Sequence, residues 1–225
     1  MYQYDEETAK ARIAGRIAKE FSEMSKEKDL FVNLGVGIPT MVADHIDSKK
    51  VFLQAENGML GVGPAACEGE CDPLLINAGR IKVTETPGCS YFDSCMSFGM
   101  IRGGHVDATV IGAFEVDQEG NVANWIIPGG KMLGVGGAMD LVAGARRVYI
   151  AMQHLSKKGK PKILKKCTLP ITGYEKIHAI VTEYAVFRFI NKNMYLEEIC
   201  PNMTLNDLKE ITPAEYIVSE KLINF

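Results

Sequence analysis

Apolar residues recur at steps of three and four between residues 5 and 28, at Ala9, Ile13, Ile17, Phe21 and Met24, with the acidic pair Glu6 and Glu7 ahead of them. This spacing predicts an amphipathic helix whose N-terminal dipole is complemented by negative charge and whose apolar stripe covers a sheet. The pattern then changes. Residues 30–34 (LFVNL) form a short, nearly continuous apolar run that leads into Gly35-Val36-Gly37, and Pro39 follows where a second helix would begin. Residues 51–54 (VFLQ), 108–114 (ATVIGAF), 148–152 (VYIAM) and 179–182 (AIVT) read as further buried strands. Such runs alternating with helices predict an α/β fold, an open and largely parallel sheet with helices on both faces. Residues 184–190 and 195–199, parted by Asn191-Lys192-Asn193, read as a terminal hairpin, with a short helix from Thr204. No repeat or linker divides the chain, so residues 1–225 are expected to form a single domain.

Composition narrows the function. The 225 residues are 47% hydrophobic and 24% charged, which places the chain among ordinary globular proteins. A net charge of −3 provides no field for a polyphosphate backbone, so nucleic acid is not an expected partner. The polar, acidic start lacks a leader pattern and no apolar run approaches the ~18 residues of a membrane span, so a cytoplasmic protein without membrane contact is expected. Cysteines 67, 71, 89, 95, 167 and 200 include no C-x-x-C pair. Cys67 and Cys71 have a zinc-compatible spacing but no evident second pair, so free thiols and no metal are expected.

Glycine is the most informative residue by position, because 19 of the 22 lie between Gly35 and Gly144. Tight βα turns explain most of them. Residues 61–66 fit G-x-G-x-x-A, yet Pro64 removes a backbone N–H where a pyrophosphate needs donors, which argues against a dinucleotide site. Phosphate-loop, zincin and nucleophile-elbow motifs are absent. What remains is Glu56, directly after the strand VFLQ, where open α/β sheets place ligand-handling groups. A carboxylate there can attack a thioester carbonyl, although from spacing alone an ordinary turn acid is the plainer explanation. In residues 128–137 five glycines precede a helix-like stretch, residues 138–143. Amides at such a helix start suit an oxyanion or phosphate, and a structural turn explains them equally well.

The segments NLGVGIPT (33–40), ENG (56–58), INAG (76–79), MIRGGHVD (100–107), ANW (123–125), GGAMDL (136–141) and KCTLP (166–170), in this order, closely resemble the β subunit of family I coenzyme A transferases over almost the whole chain. The resemblance is nearest to members acting on acetoacetate with acetate or butyrate. It implies that Glu56 is the nucleophile, that Gly137 supplies a main-chain oxyanion donor, and that Asn57, Gly58, Lys131, Gly134 and Gly136 lie against coenzyme A. Coenzyme A is then a substrate, with no permanently bound cofactor. The implied partner is an α subunit carrying a side-chain oxyanion donor, in a heterodimer or an α2β2 heterotetramer. Acetoacetyl-CoA or butyryl-CoA would be the donor, and acetate, butyrate or acetoacetate the acceptor. An acyl-CoA hydrolase and a noncatalytic acyl-CoA-binding subunit are the alternatives. The family usually has Ser before its glutamate, where this chain has Ala55.

Other residues have two readings each. Arg102, His105 and Asp107 could orient coenzyme A, although a structural hydrogen-bond network is the stronger reading. His154 stands where the family commonly has Glu-His or Arg-His, and a role in the site is the weaker reading for it. The six lysines between positions 157 and 166 could attract phosphates, but a solvated loop accounts for them better.

Overall fold

The computed structural model describes residues 4–67, 69, 72–130 and 134–225. Helix α1 (Glu6–Met24) begins at Asp5, whose side chain accepts from the Thr8 N–H at 2.9 Å. Its buried residues, among them Ala9, Ile13, Ile17 and Phe21, are the stripe that the spacing predicts. The strands are β1 (Leu30–Leu34), β2 (Val51–Ala55), β3 (Met59–Ala65), β4 (Val83–Tyr91), β5 (Ala108–Ile111), β6 (Glu115–Asp117), β7 (Val122–Ala123), β8 (Val148–Ala151), β9 (Ile163–Leu164), β10 (Ile177–Val181), β11 (Ala185–Ile190), β12 (Asn193–Ile199) and β13 (Ile217–Asn224). Between them lie α2 (Ile38–Met41), α3 (Ser94–Arg102), α4 (Ala138–Gly144) and α5 (Leu205–Ile211).

Ten strands form one sheet in the order β13-β12-β11-β10-β8-β5-β1-β2-β3-β4. Its centre, β10-β8-β5-β1-β2, is parallel throughout, as the buried apolar runs predict. In β8 the side chains of Val148 and Ile150 enter one core, while Tyr149 and Ala151 enter the other. A strand covered on both faces needs apolar residues at every position, which removes the usual alternation. Helix α1 covers the Tyr149 side, and α4, α5 and a three-stranded sheet (β7-β6-β9) contribute to the core on the opposite side.

One flank, β3–β4, is absent from the sequence reading, whereas the other contains the expected hairpin. Strands β3 and β4 extend the sheet antiparallel beyond β2, and β11 and β12 do so beyond β10. The run 108–114 leaves the main sheet after Ile111, and its apolar character continues because Ala113 and Val116 enter the core beside the small sheet. The helix expected at Pro39 is one turn, continued by a 3₁₀ turn (Val42–His45). The terminal hairpin forms with Asn191 and Lys192 both at positive φ, the conformation of a tight two-residue turn.

An ion network fastens α1 to the sheet. Glu20 accepts from Arg16 and Arg188 at 3.1 Å and from the Tyr149 hydroxyl at 2.6 Å, and Arg16 also pairs with Glu198. Burial pushes the Glu20 carboxyl up, but Arg188, Tyr149 and Arg16 outweigh it and hold the pKa down at about 2.

Candidate active site

The C-terminal ends of the parallel strands form one rim, and Glu56 stands on it directly after β2. The turn Glu56-Asn57-Gly58 reverses the chain into β3, closed by the Gly58 N–H donating to the Ala55 carbonyl at 3.0 Å. Gly58 is glycine for two backbone reasons. Its φ is +124°, and a Cβ there would collide with the Phe92 carbonyl oxygen. Asn57 turns outward and its Nδ2 donates to the Ile76 carbonyl at 2.8 Å, which ties the following loop to the turn.

The Glu56 side chain is half-buried and is held from below. Asn33, fully buried on β1, donates from Nδ2 to Glu56 Oε2 at 3.0 Å and to Gln54 Oε1 at 2.8 Å. Gln54 in turn donates from Nε2 to Ser97 Oγ on α3 at 2.8 Å. Among the described residues no hydrogen bond reaches Glu56 Oε1, so one oxygen is anchored and the other is not. The sequence reading overlooked Asn33, Gln54 and Ser97 as supports. The available signal was a polar residue inside each of two otherwise apolar strands, LFVNL and VFLQ, since a buried amide must find partners.

Gly137, far away in sequence, meets this carboxylate. A Cβ on Gly137 would lie 3.5 Å from Glu56 Cγ and 3.2 Å from Phe98 Cζ, so only glycine fits here without displacing a neighbour. Gly137 is the residue at which α4 begins, and the preceding Gly134 and Gly136 have φ of +81° and +49°. Lys131 lies outside the described residues. The structure therefore brings Glu56, Asn57, Gly58 and Gly137 to one place, with Gly134 and Gly136 on the segment leading into it.

The residues with two readings are engaged elsewhere. Arg102 pairs with Asp140 at 2.7 Å and lies over the Phe98 ring, which bridges α3 and α4. Asp107 and His105 precede β5, at the opposite rim from Glu56. Asp107 binds Lys28, the Phe31 N–H at 3.0 Å and Arg146 at 3.5 Å. Burial raises its pKa, but these partners outweigh burial and hold it below the usual carboxylate range. His105 lines a cavity of about 430 Å³ there with Lys28, Phe31 and Met100. His154 is fully buried between the Thr182 and Thr212 hydroxyls, at 3.0 and 2.9 Å. Burial, aided by nearby Lys162, pushes its pKa down to about 3 and keeps it neutral. In the lysine run, Lys165 pairs with Glu215 at 2.6 Å and Lys157 with Glu6 at 3.7 Å. Cys71 lies outside the described residues, and among those described no cluster of His, Cys, Asp or Glu could hold a metal ion. No helix among them is long and apolar enough to cross a membrane.

The family model for coenzyme A transferases matches residues 14–210. The chain belongs to the coenzyme A transferase family. It is 46% identical over 217 residues to the B-type subunit of the probable succinyl-CoA:3-ketoacid coenzyme A transferase of Bacillus subtilis, covering 96% of this chain and 98% of that protein. It is 47% identical over 215 residues to the beta subunit of the acetate CoA-transferase of Escherichia coli, covering 95% and 96%. Along its length this coenzyme A transferase chain thus corresponds to the B-type or beta subunits of those enzymes. The fold is shared with the acyl-CoA transferase YdiF of Escherichia coli O157:H7, with a TM-score of 0.75 at 22% identity over all of this chain and 44% of that one.

Proposed function

We propose that this chain is the glutamate-bearing β subunit of a short-chain acyl-CoA/3-oxoacid CoA-transferase that works with an α subunit in the cytoplasm. The observation that carries the reading is the pairing at one rim of a carboxylate anchored through Oε2 with a glycine whose added Cβ would lie 3.5 Å from Glu56 Cγ. In the first step Glu56 Oε1 attacks the thioester carbonyl, the C–S bond breaks, and coenzyme A leaves as thiolate from an acyl-glutamyl anhydride. The thiolate then attacks the glutamyl carbonyl and expels the donor carboxylate, which leaves a glutamyl-CoA thioester. An incoming carboxylate attacks that thioester, giving a second anhydride and the thiolate. Attack of the thiolate on the new acyl carbonyl releases the product thioester and restores Glu56. Each addition develops negative charge on an oxygen, and one backbone amide such as that of Gly137 stabilises such a charge by about 2.7–4 kcal/mol. Asn57 and Gly58, with Gly134 and Gly136, form the wall against which coenzyme A lies.

The donors proposed are acetoacetyl-CoA or butyryl-CoA, and the acceptors acetate, butyrate or acetoacetate, consistent with relatives whose names specify 3-ketoacid or acetate transfer. A partner on the Glu56 rim is supported by exposed apolar side chains around it, including Val36 (66% exposed), Met96 (60%) and Met139 (42%). A heterodimer or an α2β2 heterotetramer accommodates this surface equally.

The test is reconstitution with an α subunit and an assay of coenzyme A transfer from acetoacetyl-CoA to acetate and to butyrate. Glu56→Gln, nearly isosteric but a far weaker nucleophile, is expected to lose more than about 90% of kcat with the fold intact. Borohydride added after acyl-CoA should mark the peptide containing Glu56. Release of coenzyme A without any carboxylate acceptor would instead identify a hydrolase, and full turnover by the chain alone would overturn the two-subunit reading.

A further inference from the structure

Ser97, Gln54 and Asn33 come from α3, β2 and β1, and all three are buried. They form a continuous line of hydrogen bonds that ends on Glu56. Gln54 Nε2 donates to Ser97 Oγ at 2.8 Å, and Asn33 Nδ2 donates to Gln54 Oε1 at 2.8 Å, with the Gln54 main-chain carbonyl also in reach at 3.1 Å. Asn33 Nδ2 donates onward to Glu56 Oε2 at 3.0 Å, while Asn33 Oδ1 accepts from Thr109 Oγ1 at 3.4 Å. A primary amide has two unlike ends, so the orientation of one dictates that of the next. With Gln54 turned over, its NH₂ would face the NH₂ of Asn33, donor against donor. If Asn33 turned over as well, its carbonyl oxygen would oppose the Glu56 carboxylate. The observed arrangement gives both amide nitrogens, Gln54 Nε2 and Asn33 Nδ2, an acceptor and gives Glu56 an N–H.

We propose that Ser97 is a positioning residue for the transfer reaction: by anchoring the Gln54 amide it keeps the Asn33 N–H on Glu56 Oε2 and so fixes Oε1 as the attacking oxygen. This rests on the reading of Glu56 as the nucleophile. A glutamate side chain has three rotatable bonds, and holding one oxygen restricts the other to a narrow range of approach before substrate arrives. Removing the Ser97 hydroxyl leaves Gln54 Nε2 as a buried donor without an acceptor, an unfavourable state that Gln54 relieves by swinging away or turning over. Either movement loosens Asn33 from Glu56. Coenzyme A need not touch Ser97 or Gln54 for this effect, so it belongs to the chemical step and not to binding.

The experiment compares the wild type, Ser97→Ala, Ser97→Thr, Asn33→Ala and the Ser97→Ala/Asn33→Ala double variant, each reconstituted with the α subunit. The readouts are kcat, KM, Tm and the rate at which borohydride-trappable label accumulates on the Glu56 peptide after acyl-CoA is added. Ser97→Ala is expected to lower kcat and the labelling rate about tenfold while KM changes less than about twofold. Ser97→Thr keeps an oxygen at the position and should recover most of the loss. In the Asn33→Ala background, Ser97→Ala should have no further effect on kcat, since the path it acts through is already gone. If Ser97→Ala does not fold, Gln54→Met, of similar length and without polar atoms at the link, carries the same expectation. Label forming on Glu56 at the wild-type rate in Ser97→Ala, or an equal kcat loss with and without Asn33, overturns the proposal alone. Label on a different residue in the wild type overturns the nucleophile reading and this proposal with it.

Discussion

A methyl group added to Gly137 would lie 3.5 Å from Glu56 Cγ, so the residue that opens α4 faces the side chain that follows β2 with room for little more than a hydrogen between them. No strand pairing connects these two elements, and their meeting depends on how α4 packs over the sheet. In the proposed mechanism a backbone amide in that position follows the charge that develops on an oxygen as Glu56 attacks. The glycine supplies closeness, because a Cβ there would crowd the Phe98 ring and the Glu56 side chain.

Gly137→Val tests that closeness. The backbone at this residue has φ −84°, which valine can adopt, so the fold should survive. The new side chain must still displace Phe98, whose Cζ would lie 3.2 Å from its Cβ. We expect kcat to fall about 100-fold with a much smaller change in KM, since the lost interaction strengthens only as the oxyanion forms. An unchanged kcat with a raised KM, measured in steady-state assays, would place Gly137 in binding and not in catalysis.

Gly58→Ala should damage the turn that carries Glu56. The residue has φ +124°, and the added carbon would collide with the Phe92 carbonyl. Strain of this kind, with the backbone shift needed to relieve it, should destabilise the protein by more than ~2 kcal/mol. Thermal unfolding should show a lowered Tm, and the residual folded enzyme should have a reduced kcat because Glu56 moves with the turn. A variant with wild-type Tm would contradict the geometry.

Acid should weaken the protein in two steps. His154 has its pKa lowered to about 3 in the fold, against about 6.5 in the unfolded chain, so the unfolded chain binds its proton first and stability falls as pH drops below about 6.5. Glu20, at about 2 in the fold and about 4.5 unfolded, adds a second loss as pH falls through 4.5 toward 2. The Glu20 contribution, present in full above about pH 5, is about 3 kcal/mol. Denaturant unfolding between pH 7 and pH 3 should show rising stability with pH throughout. Glu20→Gln should flatten the lower part of the curve, and a curve of unchanged shape in that variant would show that the ion network does not govern acid stability.

His154→Ala separates structure from chemistry at a histidine that sits near the family motif. The side chain is fully buried and bonded at both ring nitrogens, so its loss leaves a cavity and an unpaired Thr212 hydroxyl, while Thr182 keeps its bonds to the Ala185 main chain. We expect a loss of stability of about 2–4 kcal/mol with kcat of the folded enzyme within about twofold of wild type. A large fall in kcat at unchanged Tm would give His154 the role in the site that its burial argues against.

The sequence by itself determined the parallel centre of the sheet and the covering helix α1, and its family resemblance pointed to Glu56 and Gly137 as candidates. These are legible because burial on both faces of a strand demands unbroken apolar runs, and a 19-residue helix repeats its stripe often enough to be read. The β11–β12 hairpin was legible too, but the β3–β4 flank and the small sheet were not. Strand β4 contains Pro87 and Gly88 and is largely exposed, and β6, β7 and β9 are two or three residues long, too short to show a period. Helix α3 buries only Ser97 and Ile101, so its stripe is faint, although Asp93 caps it by accepting from the Met96 N–H at 2.8 Å. Only the tertiary structure decided that Ser97, Gln54 and Asn33 meet beneath Glu56. The physical reason is that hydrogen bonds between side chains on β1, β2 and α3 depend on strand order, register and helix placement, none of which is encoded in the local pattern around any one of them.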